Sequence, residues 1–213
     1  MRVTNFVCAT VCIIGCGVKV FGAPLAEWSG DAAGGYPPIS ASMRHEEGPG
    51  LLPTDRVYAT AGTNKFSFLV PLGYKMETWS DGRVALVNKD YSRQITFRIA
   101  SPLPMNGGEL DNEIFSGRVL AEHPGAKILK VTSGMADSRR GPAIEIQCTG
   151  TGGAPRRAQI AYIPSWSWVL EFSLICSPDK YEEARHQFNT VMLTFRASDP
   201  KGDLHISPIS DKL

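Results

Sequence analysis

Reactive chemistry is what this sequence has least of. It contains no H-x-H or H-E-x-x-H, no G-x-S-x-G, and no glycine loop followed by Lys-Ser or Lys-Thr. Those absences exclude the common linear signatures of zinc sites, serine hydrolases and phosphate cradles. The four histidines, His45, His123, His186 and His205, lie far apart and are read as surface groups. Charge of one sign is also missing. Lys and Arg number 22 against 21 Asp and Glu, a net charge of +1, so no basic field exists to collect nucleic acid or an anionic membrane. Long apolar runs are absent too. Residues 6–16 are uncharged and mostly apolar, but a membrane-spanning helix needs about 20 such residues. Cysteine is scarce beyond residue 22, where only Cys148 and Cys176 remain.

What is present begins with a leader. Arg2 precedes the apolar run, and residues 1–22 have the layout of a signal segment. Val20-Phe21-Gly22 suits cleavage before Ala23, which would leave a net charge of −1 once Arg2 and Lys19 are gone. Ile13-Ile14-Gly15-Cys16 offers a second route, a lipobox that would anchor the protein through a lipid on Cys16. The apolar run resumes past Cys16 at Val18 and Val20, which favours soluble export. Residues 23–54 are rich in Gly, Pro, Ala and Ser and read as a flexible tether. Residues 55–197 form the expected single domain, and 198–213 a loose tail.

Within the body, residues 93–100 alternate, with Ile95, Phe97 and Ile99 on one face and Gln94, Thr96 and Arg98 on the other. This pattern predicts an antiparallel strand with one solvated face. Residues 83–88 are apolar on both faces, as in a central strand, and Asp81-Gly82 is a hairpin signal. A first helix is expected over residues 108–122, with Leu110, Ile114, Gly117 or Arg118, and Ala121 along its buried stripe. Ile144, Ile146 and Cys148 face inward on a later strand, as do Trp168, Leu170, Phe172, Leu174 and Cys176 on another. Ser177-Pro178-Asp179 predicts a capped start to a second helix. Its stripe is Tyr181, Ala184, Phe188, Val191, Met192 and Phe195. The order is several strands, a helix, four strands, a helix. It implies an α+β fold: a central antiparallel β-sheet with two main helices packed on it. If residues 142–176 form a three-strand meander, Cys148 and Cys176 sit two strand spacings apart. A disulfide needs Cα atoms within about 7 Å, so two buried thiols are expected.

The segment Phe66-Ser67-Phe68-Leu69-Val70-Pro71-Leu72-Gly73-Tyr74 resembles the opening of PsbP-like domains, and the helix from Pro178 through Leu193-Thr194-Phe195 resembles their close. The likeness covers about residues 56–197. It implies an α/β/α sandwich without catalysis or cofactor, in an accessory factor that docks on a larger assembly. The family's metal-binding histidines and Ran-binding acidic surface have no counterpart among these residues.

Candidate partner contacts are therefore sought at loop ends. Pro164-Ser165-Trp166 places Trp166 at a hairpin tip, where an exposed Trp makes a binding anchor and a folded-back one covers the sheet end. Arg139 and Arg140, in an expected turn over residues 137–141, are grouped with Arg156 and Arg157 as a small basic rim; the plainer reading is solvated hairpin ends. Gly150-Thr151-Gly152-Gly153 reads as a hairpin loop. The favoured reading is an exported, extracytoplasmic, non-enzymatic protein that docks on a protein or envelope component. Its alternatives are a small exported enzyme with a site no linear motif reveals, and a lipoprotein anchored through Cys16. Intact-mass analysis of the native protein separates two of these: an unmodified chain beginning at Ala23 is expected, and a diacylglyceryl group on Cys16 would overturn soluble export.

Overall fold

The structure, a computed structural model, describes residues 39–47, 52–100, 105–106, 109–165 and 168–198. Cys16, Trp166 and His205 lie outside the described residues. Three strands come first: β1 (Ser40–Glu46), β2 (Thr54–Ala61) and β3 (Asn64–Leu69). A second trio follows: β4 (Tyr74–Thr78), β5 (Val84–Asn88) and β6 (Arg93–Ala100). A short hairpin, β7 (Met105–Asn106) and β8 (Glu109–Leu110), leads into helix α1 (Asn112–Glu122). Four longer strands come next: β9 (Lys127–Ala136), β10 (Arg139–Thr149), β11 (Pro155–Ser165) and β12 (Trp168–Cys176). The chain closes with α2 (Tyr181–Thr194) and β13 (Arg196–Ala197).

Every strand pairing is antiparallel. The strands form two principal sheets rather than the one expected: a four-stranded sheet ordered β1-β2-β3-β13 and a seven-stranded sheet ordered β4-β5-β6-β12-β11-β10-β9. The split follows from the turn at Pro71-Leu72-Gly73. There Gly73 adopts φ +85, and β4 joins β5 instead of extending the first meander. The folded part also begins earlier than residue 55. β1 lies inside the stretch 23–54 read as a tether and pairs with β2 from Ser40↔Thr60 to Glu46↔Thr54. Ile39 is 6% exposed, and Glu46 accepts hydrogen bonds from Arg56 and Tyr58. At the other end, Ser198 donates its N–H to Lys65 O at 2.9 Å.

One face of the seven-stranded sheet carries Leu86, Ile95, Phe97, Leu170, Phe172, Leu174 and Cys176. It is covered by the four-stranded sheet, through Val57, Phe66 and Phe68, and by α2. The α2 stripe is as the sequence implies: Tyr181, Ala184, Phe188, Val191 and Met192 are all buried. Its start is different. Pro178–Lys180 is a 3-10 turn, and the Ser177 side chain makes no capping bond. Phe195, just past the helix, is fully buried among Phe66, Phe68, Phe97 and Phe172, with ring centroids 4.9–6.2 Å away.

The other face packs Ile144, Ile146, Ala158, Ile160, Tyr162 and Ile175 against α1. Asp111 caps this helix by accepting from the N–H groups of Glu113 and Ile114. Its buried residues are Phe115 and Val119, one position off the expected stripe; Ile114 and Leu120 are exposed. Gly117 faces open space and is not a packing glycine. The glycines that matter for packing are Gly134 on β9 and Gly141 on β10, opposed in register. A Cβ on Gly141 would stand 1.8 Å from the Tyr162 carbonyl oxygen, and one on Gly134 2.9 Å from Ala161 Cβ. Gly141 is thus a strand residue; the turn expected over 137–141 is confined to Asp137 and Ser138, both with positive φ.

Cys148 and Cys176 are free thiols on opposite faces of the sheet. Cys176 is buried, and burial raises its pKa to about 12. Cys148 is only half-buried; it lies one residue from the end of β10 and packs against the α1-side cluster.

Two substitutions test this packing. Phe195→Ala is expected to cost about 3–5 kcal/mol in urea unfolding, because it empties the junction of the two sheets. Gly141→Ala is expected to cost about 1–3 kcal/mol through backbone displacement, whereas Gly117→Ala should be neutral or stabilising.

Candidate docking surface

Four ionisable groups on the α1 side of the sheet are committed to one another. Arg98 projects from β6 toward the α1 side. Its Nε donates to Glu171 at 2.8 Å, and its Nη2 donates to Glu171 at 2.5 Å and to Glu122 at 2.7 Å. Arg118 completes the group, donating to Glu122 at 3.1 Å. Burial opposes the Arg98 charge, but Glu171 and Glu122 raise its pKa on balance. Burial likewise opposes ionisation of Glu122, and Arg98 and Arg118 hold its pKa below the usual value. Two cations and two carboxylates balance, and the group ties α1 to β6 and β12. Gln94 and Thr96, expected in solvent, are each 2% exposed, and Thr96 shares a hydrogen bond with Ser173 at 2.5 Å. The second face of β6 is therefore buried and polar, not solvated. Tyr162 lies beside this network, fully buried, its pKa raised by burial.

His123 ends α1, as expected, but is 7% exposed instead of lying on the surface. Burial lowers its pKa to about 4, so it is neutral at pH 7 and does not supply positive charge to the helix end. His186 is exposed on α2, and His45 is exposed and bonded to Asp55, which raises its pKa. Among the described residues, no cluster of His, Cys, Asp and Glu could hold a metal ion.

The expected basic rim is divided. Arg139 and Arg140 open β10, while Arg156 and Arg157 pair with Cys148 and Gln147 at its other end. Arg140 and Gln147, the nearer members of the two groups along β10, are seven residues apart, about 23 Å at the usual rise. Arg157 is taken up by Glu145, to which its Nε donates at 2.6 Å, and its guanidinium lies 3.8 Å from the centroid of the Tyr181 ring. Arg139 donates to Ser165 Oγ at 2.5 Å. Arg140 is exposed.

Arg140 also lines a cavity of about 220 Å³ with Leu110, Asn112, Thr132, Ser133, Gly141 and Pro142. Thr132 and Ser133 belong to β9, the outer strand of the seven-stranded sheet. β9 is ten residues long and, among the described residues, pairs only with β10. Leu129, Val131 and Met135 are 41%, 49% and 50% exposed along it. It carries Lys127 and Lys130 and no acid. The other edges differ. β4 has five residues, with Lys75 paired to Glu77; β13 has two; β1 carries both signs of charge, with Glu46 bonded to Arg56. A long, partly apolar open edge is a template for pairing with another chain. Sequence reasoning missed β9, although its apolar residues Ile128, Leu129, Val131 and Met135, interleaved with Lys127 and Lys130, were visible.

No protein-family model matches the chain, and no curated protein matches it. Solved structures do. Cyanobacterial PsbP from Synechocystis sp. PCC 6803 is similar at a TM-score of 0.45 and 16% identity, over 61% of this chain and 85% of that one. The Ran-binding protein Mog1p of Saccharomyces cerevisiae matches at 0.44 and 12%, over 73% and 95%. LpqN of Mycobacterium tuberculosis, a protein involved in cell envelope biogenesis, matches at 0.49 and 13%, over 76% and 92%. These are PsbP-like folds, and the likeness is one of fold alone.

The buried charges make two measurable statements. Glu171→Ala, which leaves Arg98 with Glu122 as its one remaining carboxylate in this group, shared with Arg118, is expected to cost about 3 kcal/mol in urea unfolding. His123 is neutral and unprotonated in the folded state down to about pH 4, whereas in the unfolded chain it takes up a proton near pH 6.5. The unfolded state therefore gains protons first as pH falls, and stability should drop between pH 6.5 and 4, then level off, by about 3 kcal/mol at most. His123→Gln should remove that component of the acid loss.

Proposed function

We propose that the protein is an exported, non-catalytic accessory factor that docks on a protein component outside the cytoplasm, using the outer edge at β9. In this reading the two helices and the sheets form the α/β/α sandwich of a PsbP-like scaffold, whose interior serves stability and whose edge serves recognition. The observation that carries it is the contrast between the two. The interior charges Arg98, Arg118, Glu122 and Glu171 neutralise one another, while β9 keeps half-exposed Leu129, Val131 and Met135 beside an open cavity. Apolar groups left open together on a hydrogen-bonding edge are what a partner would cover. Export rests on the leader in residues 1–22.

Site-directed photo-crosslinking tests the reading. A photoreactive side chain placed at Val131 is expected to trap a discrete protein in the source cells' envelope. The same group at Ser42 on β1 or Thr78 on β4 should not. Equal products from all three positions, or none from Val131, would remove the docking edge.

A further inference from the structure

Resting on that docking reading, we infer that the occupant of β9 is an extended polypeptide segment with alternating apolar and acidic residues, added as an eighth antiparallel strand. The backbone comes first. β9 is hydrogen-bonded to β10 from Ala136↔Arg139 to Lys130↔Glu145, and after a bulge at Leu129 again from Ile128↔Ile146 to Lys127↔Gln147. Along the unbroken part the alternate N–H and C=O groups on its other side point away from the sheet. The ten residues extend about 33 Å, and the seven of Lys130–Ala136, about 23 Å, keep one register, enough for a ladder with several bonds. Among the described residues no other sheet edge is as long.

Side chains then set the pattern. Val131 lies opposite Ile144 and therefore on the α1 side, as do Ser133 and Met135 by alternation. A strand laid beside β9 would place every second side chain against Val131 and Met135. One of these would stand at the mouth of the cavity between Ser133, Pro142 and the start of α1. Apolar groups at alternate positions fit that face. Charge sets the rest. Lys127, Lys130 and exposed Arg140 bring three cations to this edge. The acid opposite Lys130 is Glu145, and Arg157 already occupies it. A second copy of this chain would bring the same cations against themselves, whereas carboxylates on the incoming segment complement them.

The probe is a labelled ten-residue peptide alternating valine with glutamate, titrated into the mature full-length protein at low salt with anisotropy as the readout. Saturable binding is expected, weakening with salt. The double variant Lys127→Glu, Lys130→Glu, with its fold checked by circular dichroism, should bind roughly tenfold more weakly. A peptide N-methylated at the residues facing the edge should lose binding, because it cannot complete the ladder. A lysine-for-glutamate peptide should not bind. Four results would overturn the inference: no binding up to about 1 mM; equal binding of the N-methylated peptide; a dimer, seen by sedimentation, that the charge reversal leaves intact; or outward β9 amides already protected from exchange in the free monomer, since the chain's own residues would then fill the edge. Crosslinking from Val131 separates the two levels. A trapped protein with no peptide binding sinks strand addition and leaves the docking edge; no trapped protein sinks both.

Discussion

Phe195 leaves the end of α2 and enters the space between the two principal sheets, where its ring meets Phe172 at 4.9 Å, Phe97 at 5.4 Å, Phe66 at 5.9 Å and Phe68 at 6.2 Å. Those partners come from β3, β6 and β12, so one side chain joins both sheets to the last helix. With that junction closed, one face of the seven-stranded sheet is sealed by α2 and the four-stranded sheet, and the other is covered by α1. A sheet covered on both faces can meet another molecule only at its ends and edges.

The polar interior fits the same logic. Buried charge is costly unless it is paired and hydrogen-bonded. Here Arg98 and Glu171 face each other across adjacent strands, and Glu122 and Arg118 reach them from α1. The group fixes the helix on the sheet at a defined position, and its charges are occupied with each other. At β9, in contrast, the lysines and Arg140 face outward and the apolar side chains are only half covered.

Much of this was legible in the sequence where one physical rule acts alone. The α2 stripe from Tyr181 to Phe195 was readable because an amphipathic helix on a sheet obeys a single period. The three strands β10, β11 and β12 were readable from alternation and turn residues, while β9 was missed. The rest depended on contacts between distant residues. β1 was hidden because the composition around it is that of a linker, and its order comes from pairing with β2. The α1 stripe was off by one because Phe115 and Val119 are selected by Tyr162 and its neighbours, not by the helix itself; the two rings lie 4.8 Å apart. Arg98 looked solvated because its partner, Glu171, lies 73 residues away. Gly134 and Gly141 gave no local sign that two strands and a helix converge on them. The basic rim failed for a related reason: nearness to a loop in sequence does not say which end of a sheet that loop occupies.

The account stands on β9 being an open hydrogen-bonding edge that a partner closes. Amide hydrogen exchange of the protein alone and with the protein trapped from Val131 reads this directly. The outward amides of Lys127–Ala136 are expected to exchange freely in isolation and to become slow in the complex, with those of β4 and β1 unchanged. Protection that appears on β1 or in the loops while β9 continues to exchange freely would contradict it.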